Sequence, residues 1–320
     1  MPKTLSKKLK YRVSDPLGSF LLAFSVLVLR VVPPRVIVEV ARVGGTLGFY
    51  FVRRYRRKVL SNLSLAFEGK MDAREMDRLA KKIFFNFTLV PLETIHIVAV
   101  PYGRMIKEIE VIGREYLETA LAKGNGVIAL GSHLGAFTIL GTRLAMEGYP
   151  FNIIINVENF PKMWKRLEFY MRRLGQRPFP PKPAAASIKK SINCLRRNEV
   201  LYLIADEQQI MGGLPVPFFG RTAYTPPGPA IFSLRTGAPI IPMFVIRENG
   251  IPKTLFIEPP IEIERTYDEK KDMELITAKL TRAIEDSIRK YPEQWPWLNR
   301  RWKQPYQKQV LPPLSRPREE

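Results

Sequence analysis

Of the side chains able to move a proton near neutral pH, the chain carries two histidines, His96 and His133, and one cysteine, Cys194. His133 stands in Gly126-Val127-Ile128-Ala129-Leu130-Gly131-Ser132-His133-Leu134-Gly135-Ala136-Phe137. A short apolar run bounded by turn residues reads as a buried strand. His133 therefore falls at the carboxyl end of a strand, where open α/β sheets hold their ligands. A neutral imidazole there takes the proton of an alcohol during acyl transfer, because its unperturbed pKa lies near working pH. Gly131 and Gly135 would clear space for a substrate beside the ring. The competing reading is a histidine used for packing. Ser132 is a poor nucleophile for this base, since adjacent strand residues point apart. His96 lies in the apolar stretch 95–100 and reads as a core or interface residue. Cys194 lies among helix-patterned residues and reads as packing.

Other residues could complete such a site. Asp206 and Glu207 close a second predicted strand, 199–205, and either carboxylate could reach the imidazole; the competing reading is a pair of solvated loop acids. Acyl transfer develops negative charge on the carbonyl oxygen. Arg172 or Arg173, ending a predicted helix over 161–174, would bind that charge or an acceptor phosphate. The same helix sets Lys162, Lys165 and Arg166 opposite Met163, Trp164, Leu167, Met171 and Leu174, the pattern of an ordinary amphipathic surface helix. Phe218-Phe219-Gly220 would form an apolar slot for an acyl chain, or a plain strand and turn.

The elements that must position these residues alternate. Helices are predicted over 72–99, with Asp72 as N-cap, and over 114–123, 134–147, 161–174, 184–197, 227–235 and 268–290. Strands are predicted over 106–112, 126–131, 151–156, 199–205, 238–247 and 254–259. That order implies an α/β fold with a central, largely parallel or mixed sheet flanked by helices. The two ends, 1–13 and 311–320, read as loose polar or proline-rich tails.

The 320 residues carry 51 Lys and Arg against 30 Asp and Glu, a net charge of +21. Such a surplus implies an anionic partner. Residues 1–70 hold fourteen basic residues against Asp15, Glu39 and Glu68. They also hold the most apolar run, 17–32, which as a helix spans roughly 24 Å, short of the roughly 30 Å hydrocarbon core. Pro33 and Pro34 interrupt it, and a second apolar stretch ends in Arg53-Arg54-Tyr55-Arg56-Arg57-Lys58. This reads as a helical membrane anchor held at an anionic surface by its basic flank, the competing reading being a hydrophobic core helix with a solvated basic face. The division expected is an anchor over 1–70, an α/β domain over 71–305 and a tail over 306–320. One cysteine excludes an intrachain disulfide, and with two histidines it fills no zinc site. No phosphate loop of the P-loop or dinucleotide type is present, so no nucleotide cofactor is expected, and no metal is expected either. Nucleic-acid binding ranks last, because the basic run adjoins apolar helices and no recognisable module.

The residues around His133 resemble the histidine motif of the lipid A biosynthesis acyltransferases, the lauroyl and myristoyl transferases within the lysophospholipid acyltransferase-like superfamily. Further similarities follow in the same order. They are Arg57-Lys58-Val59-Leu60-Ser61-Asn62-Leu63, Arg172-Arg173-Leu174-Gly175, Ala205-Asp206-Glu207-Gln208, Val216-Pro217-Phe218-Phe219-Gly220, Thr225-Pro226-Pro227-Gly228 and the closing Tyr291-Pro292-Glu293-Gln294-Trp295-Pro296-Trp297 through Lys303. The resemblance implies a glycerolipid acyltransferase-like fold. It implies transfer of a fatty acyl chain from acyl carrier protein or acyl-CoA to a hydroxyl of an anionic glycolipid, at the cytoplasmic face of a bacterial inner membrane. His133 would be the base, with Phe137, Phe218, Phe219 and Gly220 lining an acyl pocket. One departure matters. The family sets a carboxylate five positions after the histidine, and here that position is Thr138. A hydroxyl can hold a tautomer but cannot offset an imidazolium charge. Either a distant acid replaces it, and relatives that acylate mannosyl phospholipids favour Glu207 over Asp206, or the protein is a silent descendant that binds anionic lipid or escorts another membrane enzyme.

Overall fold

Five helices precede the first strand among the described residues. The structure, a computed structural model, describes residues 2–100, 104–156, 161–299 and 301–302. Helix α1 (Pro2–Leu29) is helical from Pro2, where a loose tail is expected from the sequence. The expected tail over 306–320 lies outside the described residues. Pro33 and Pro34 end the first apolar run and start α2 (Pro34–Phe51), with proline in the first turn, where a missing N–H costs nothing. Helix α3 (Arg53–Ala66) carries the basic run. Helix α4 (Ala73–Ala99) opens on a capping box: Asp72 accepts from the Glu75 N–H (2.7 Å) and Glu75 accepts from the Asp72 N–H (3.0 Å). Among the described residues α4 alone is long and apolar enough to cross a membrane, yet Ala80, Ile83, Phe84, Leu89 and Ile97 of it are buried in the core. It packs closely on α2, where a Cβ at Gly45 would lie 2.7 Å from the Phe85 backbone.

The α/β part then follows in chain order: α5 (Arg104–Lys107), β1 (Glu110–Ile112), α6 (Arg114–Leu121), β2 (Val127–Gly131), α7 (Leu140–Ala145), β3 (Phe151–Ile154), α8 (Pro161–Arg173), β4 (Gln176–Phe179), α9 (Ala184–Arg196), β5 (Val200–Ile204), β6 (Leu214–Phe218), β7 (Arg221–Thr225), α10 (Gly228–Thr236), β8 (Ile240–Glu248), β9 (Ile251–Ile257) and α11 (Glu269–Lys290). Seven strands form one mixed sheet in the order β1-β9-β8-β2-β5-β3-β4, parallel except for the β8–β9 pair. The fold is therefore α/β, a mixed sheet flanked by helices. Strand β2 lies at its centre with every residue buried, as its unbroken apolar run requires. Alternate residues feed two cores. Ile128, Leu130 and Leu201 join a cluster with α10, α11 and the tryptophans of the closing segment. Val127, Ala129, Val200 and Tyr202 join a second cluster with Leu140, Leu144 and Phe151.

Three expectations are corrected. The strand predicted over 106–112 begins only at Glu110, after the helical turn α5. Strand β4 and the β6–β7 hairpin escape the periodicity, because Pro178, Pro215 and Pro217 sit inside them. The helix predicted from Leu134 begins at Leu140. Gly135 takes a left-handed φ of +61° and bridges Val245, with the Ala136 N–H donating to the Val245 carbonyl at 2.8 Å. A Cβ at Gly135 would stand 2.1 Å from that carbonyl oxygen, so only glycine fits. His133 thus sits in a pinned loop, not on a helix.

Candidate active site

The parallel pairing of β2 with β5 brings the two strand ends together, with Gly131 opposite Ile204. Two residues beyond each end, His133 meets Asp206. The imidazole Nδ1 lies 2.9 Å from Asp206 Oδ1, while Asp206 Oδ2 accepts the His133 backbone N–H at 3.0 Å and the Trp295 indole N–H at 2.7 Å. The carboxylate has no exposure to solvent, whereas the imidazole side chain is 28% exposed. With Nδ1–H donating to Asp206, Nε2 is left as the free nitrogen of the ring.

The electrostatics of the pair follow from this packing. Burial pushes the imidazole pKa down, but the charge and hydrogen bond of Asp206, aided by the charge of Glu207, outweigh it and raise the value to about 8. Burial pushes the Asp206 carboxyl up, but the imidazolium, the Trp295 N–H and the His133 N–H outweigh it and hold the carboxyl below its ordinary value. A buried ionised acid is tolerated because each of its oxygens has a donor. Arg301 adds a buried positive charge: it donates to the Tyr224 carbonyl at 3.1 Å and lies over the Phe218 ring. Burial lowers its pKa to about 10, with the charge of Asp206 opposing the fall.

His133 opens onto a cavity of about 740 Å³, within the range of ligand pockets. Its walls are mostly apolar and include Ile97, Phe137, Phe151, Leu167, Met171 and Leu174. Phe137 lines the same cavity and meets the imidazole edge-on at 4.9 Å between centroids. Thr138 also lines the cavity, but its hydroxyl pairs with that of Thr94 at 2.9 Å rather than with the imidazole. Because residues 134–139 are not helical, the five-residue spacing does not set this side chain against the ring.

Of the two acids, the structure brings Asp206 to the ring. Glu207, favoured on resemblance, is exposed on the cavity wall and reaches the imidazole through its charge alone. Arg172 and Arg173 stand outside the cavity. The helical period turns them away from Leu167, Met171 and Leu174; Arg172 pairs with Glu168 at 2.8 Å, and Arg173 lies over the Phe169 ring. Phe218, Phe219 and Gly220 do not line the cavity either. Phe219 and Gly220 form the two-residue turn of the β6–β7 hairpin, both with positive φ, as this tight connection requires. Phe218 and Phe219 pack among Trp295, Trp297 and Trp302 in the opposite core. The space left by Gly131 is likewise filled from within: a Cβ there would fall 2.3 Å from the Tyr202 hydroxyl oxygen. Trp295, Thr94 and Tyr202 are site residues that sequence reasoning missed. The tryptophan-rich run 295–302 was the available signal for the first, since a buried indole needs an acceptor for its N–H.

The family model described as Bacterial lipid A biosynthesis acyltransferase matches residues 5–304. The chain is similar to a phosphatidylinositol mannoside acyltransferase of Mycolicibacterium smegmatis, with 24% identity over 73% of this chain and 75% of that protein. It is similar to a lipid A biosynthesis lauroyltransferase of Escherichia coli, with 26% identity over 81% of this chain and 82% of that protein. A lipid A biosynthesis acyltransferase of Haemophilus influenzae is 26% identical over 88% of this chain and 86% of its own length. A match over nearly the whole chain places this protein in the bacterial lipid A biosynthesis acyltransferase family, and it is an O-acyltransferase.

Proposed function

We propose that the protein moves a fatty acyl chain from an acyl thioester to a hydroxyl of an anionic glycolipid, with His133 as the base and Asp206 as its partner. The observation that carries this reading is the His133–Asp206 pair at an apolar cavity large enough for a lipid chain. Nε2 takes the proton of the acceptor hydroxyl as its oxygen bonds to the thioester carbonyl carbon. The carbon–sulfur bond then breaks, and the departing thiolate takes the proton back from the imidazolium, so that one ester and one thiol are formed. Asp206 keeps Nδ1 protonated and balances the transient imidazolium charge. A thioester is already activated, so base and oxyanion donors suffice.

The +21 charge suits an acidic acyl carrier protein as donor, with acyl-CoA as the alternative, and a phosphorylated glycolipid as acceptor. Helices α1 and α2 expose an apolar series, including Leu17, Phe20, Phe24, Leu27, Val40, Val43 and Phe51, beside the exposed Arg53, Arg54 and Arg57. That combination supports work at an anionic membrane surface, in a bacterium the cytoplasmic face of the inner membrane. The Asp206 hydrogen bond supplies what Thr138 lacks, which favours an active enzyme over a silent lipid-binding descendant.

The test is an assay of the purified protein with lauroyl-acyl carrier protein and lauroyl-CoA. The acceptors are a lipid A precursor in one arm and a mannosylated phosphatidylinositol in the other, with products read by mass spectrometry. An added lauroyl ester on either acceptor supports the reading; none on either overturns it.

The rate should also depend on pH in a stated direction. The neutral ring is the working form, and its pKa is raised to about 8. Turnover is therefore low where the ring holds its proton, rises with pH and is half-maximal near that value. A rate profile of kcat/KM from mildly acidic to alkaline pH checks this.

A further inference from the structure

Helix α1 has two unlike faces. Leu17, Phe20, Leu21, Phe24, Leu27 and Val28 are exposed, whereas Asp15 and Ser19, one turn apart, are buried. Asp15 is the only acid before Glu39. It does not face solvent. Its Oδ2 accepts the Lys162 N–H and its Oδ1 accepts the Met163 N–H, each at 2.9 Å. Those are the second and third residues of α8, whose first residue, Pro161, has no N–H to satisfy. They are the amides that a side-chain cap normally serves. The contact continues along the helix pair: Ser19 Oγ accepts from Arg166 Nε at 2.9 Å, and the Met163 sulfur lies beside Gly18. Further along α8, Leu167 and Met171, with Leu174 just after the helix, wall the cavity beside His133.

We propose that α1 is part of the acyl-binding machinery as well as the membrane-facing element, and that Asp15 is the positioning residue that clamps α8 as a wall of the cavity. One helix then ties the lipid surface to the pocket that receives the acyl chain. This rests on the acyltransfer reading above, and its test does not need turnover. Asp15 acts on binding through α8 and leaves the His133–Asp206 pair, which sits on the loops that follow β2 and β5, untouched.

The probe is dodecanoyl-pantetheine amide, an unreactive acyl ligand in which nitrogen replaces the thioester sulfur. Asp15→Ala is expected to bind it about tenfold more weakly than the wild type, in line with the loss of a helix cap. Hydrogen exchange at the Lys162 and Met163 amides is expected to speed up by about the same factor. Where turnover is measured, KM for the acyl donor rises while kcat stays within about threefold. Asp15→Asn keeps one acceptor oxygen and is expected to recover part of the affinity; it also serves if the alanine variant fails to fold. Phe20→Ser with Phe24→Ser should do the reverse, weakening flotation on phosphatidylglycerol vesicles while α8 exchange stays at the wild-type rate. Wild-type exchange at α8 and wild-type affinity for the probe in Asp15→Ala would overturn the proposal. A wild-type protein that binds the probe but transfers no acyl group sinks the functional reading and still decides the clamp.

Discussion

Asp206→Asn is expected to lower kcat by roughly three to four orders of magnitude, by analogy with the loss of the carboxylate from a catalytic triad. The hydrogen bonds explain why so conservative a change is so damaging. Oδ2 receives two N–H groups, from Trp295 and from the His133 backbone, while Oδ1 receives the imidazole Nδ1–H. An asparagine has one oxygen to offer. It goes where two donors converge, which turns the amide NH₂ toward Nδ1. The ring must then accept at Nδ1 and carry its proton on Nε2, the nitrogen that should take the proton of the acceptor hydroxyl. Geometry survives and the base is lost. Without the carboxylate, burial is opposed only by the charge of Glu207, so any residual activity should show a midpoint below the value of about 8. His133→Ala should match Asp206→Asn, and the double variant should be no worse than either, because the two act as one unit. Glu207→Ala should stay within about threefold of the wild type, since that side chain acts on the ring only through an exposed charge. Steady-state rates of the four variants check this; activity lost with Glu207 and retained with Asp206→Asn would reverse the assignment.

How much of this was legible in the sequence depends on the range of the interactions involved. Strand β2, strand β5 and α11 could be read from their apolar runs and periodicity, and the parallel sheet from their alternation with helices. His133 at the end of β2 followed from the same reading. The partner acid did not, because Asp206 and Glu207 are neighbours and only the loop path after β5 decides which one turns inward. The Gly135 turn replaced an expected helix because its cause is a carbonyl of β8, more than a hundred residues away. Phe218 and Phe219 looked like pocket residues because aromatic side chains serve a core and a pocket equally well. Sequence type gives no means of choosing between the two sides of a sheet. Trp295 was hidden for a similar reason, as its role is a single N–H aimed at a carboxylate 89 positions earlier.

The second large effect is expected from a pair that touches no substrate. Glu93 on α4 and Arg247 on β8 form a buried ion pair, with the two side chains 4% and 1% exposed. Arg247 Nε donates to Glu93 Oε1 at 3.1 Å. Glu93→Ala would leave a guanidinium in the core without its counter-charge, a change that costs about 3–5 kcal/mol. Against the roughly 5–15 kcal/mol that holds a typical protein folded, that is a large share, and the melting temperature should fall by about 4–8 °C. The damage should also reach the site. Gln294 bonds the Arg247 backbone at both N–H and C=O, and the Gln294 carbonyl accepts the Gly135 N–H that shapes the His133 loop. The next residue, Trp295, holds Asp206. Removing both charges tests the account. Glu93→Ala with Arg247→Met leaves no stranded charge, so thermal melts of the double variant should recover most of the stability that Glu93→Ala loses. If the double variant melts as low as the single one, the loss comes from packing around α4 rather than from an uncompensated cation. A double variant that melts near the wild type should also regain its kcat, because the backbone contacts of Gln294 need only the main chain of residue 247.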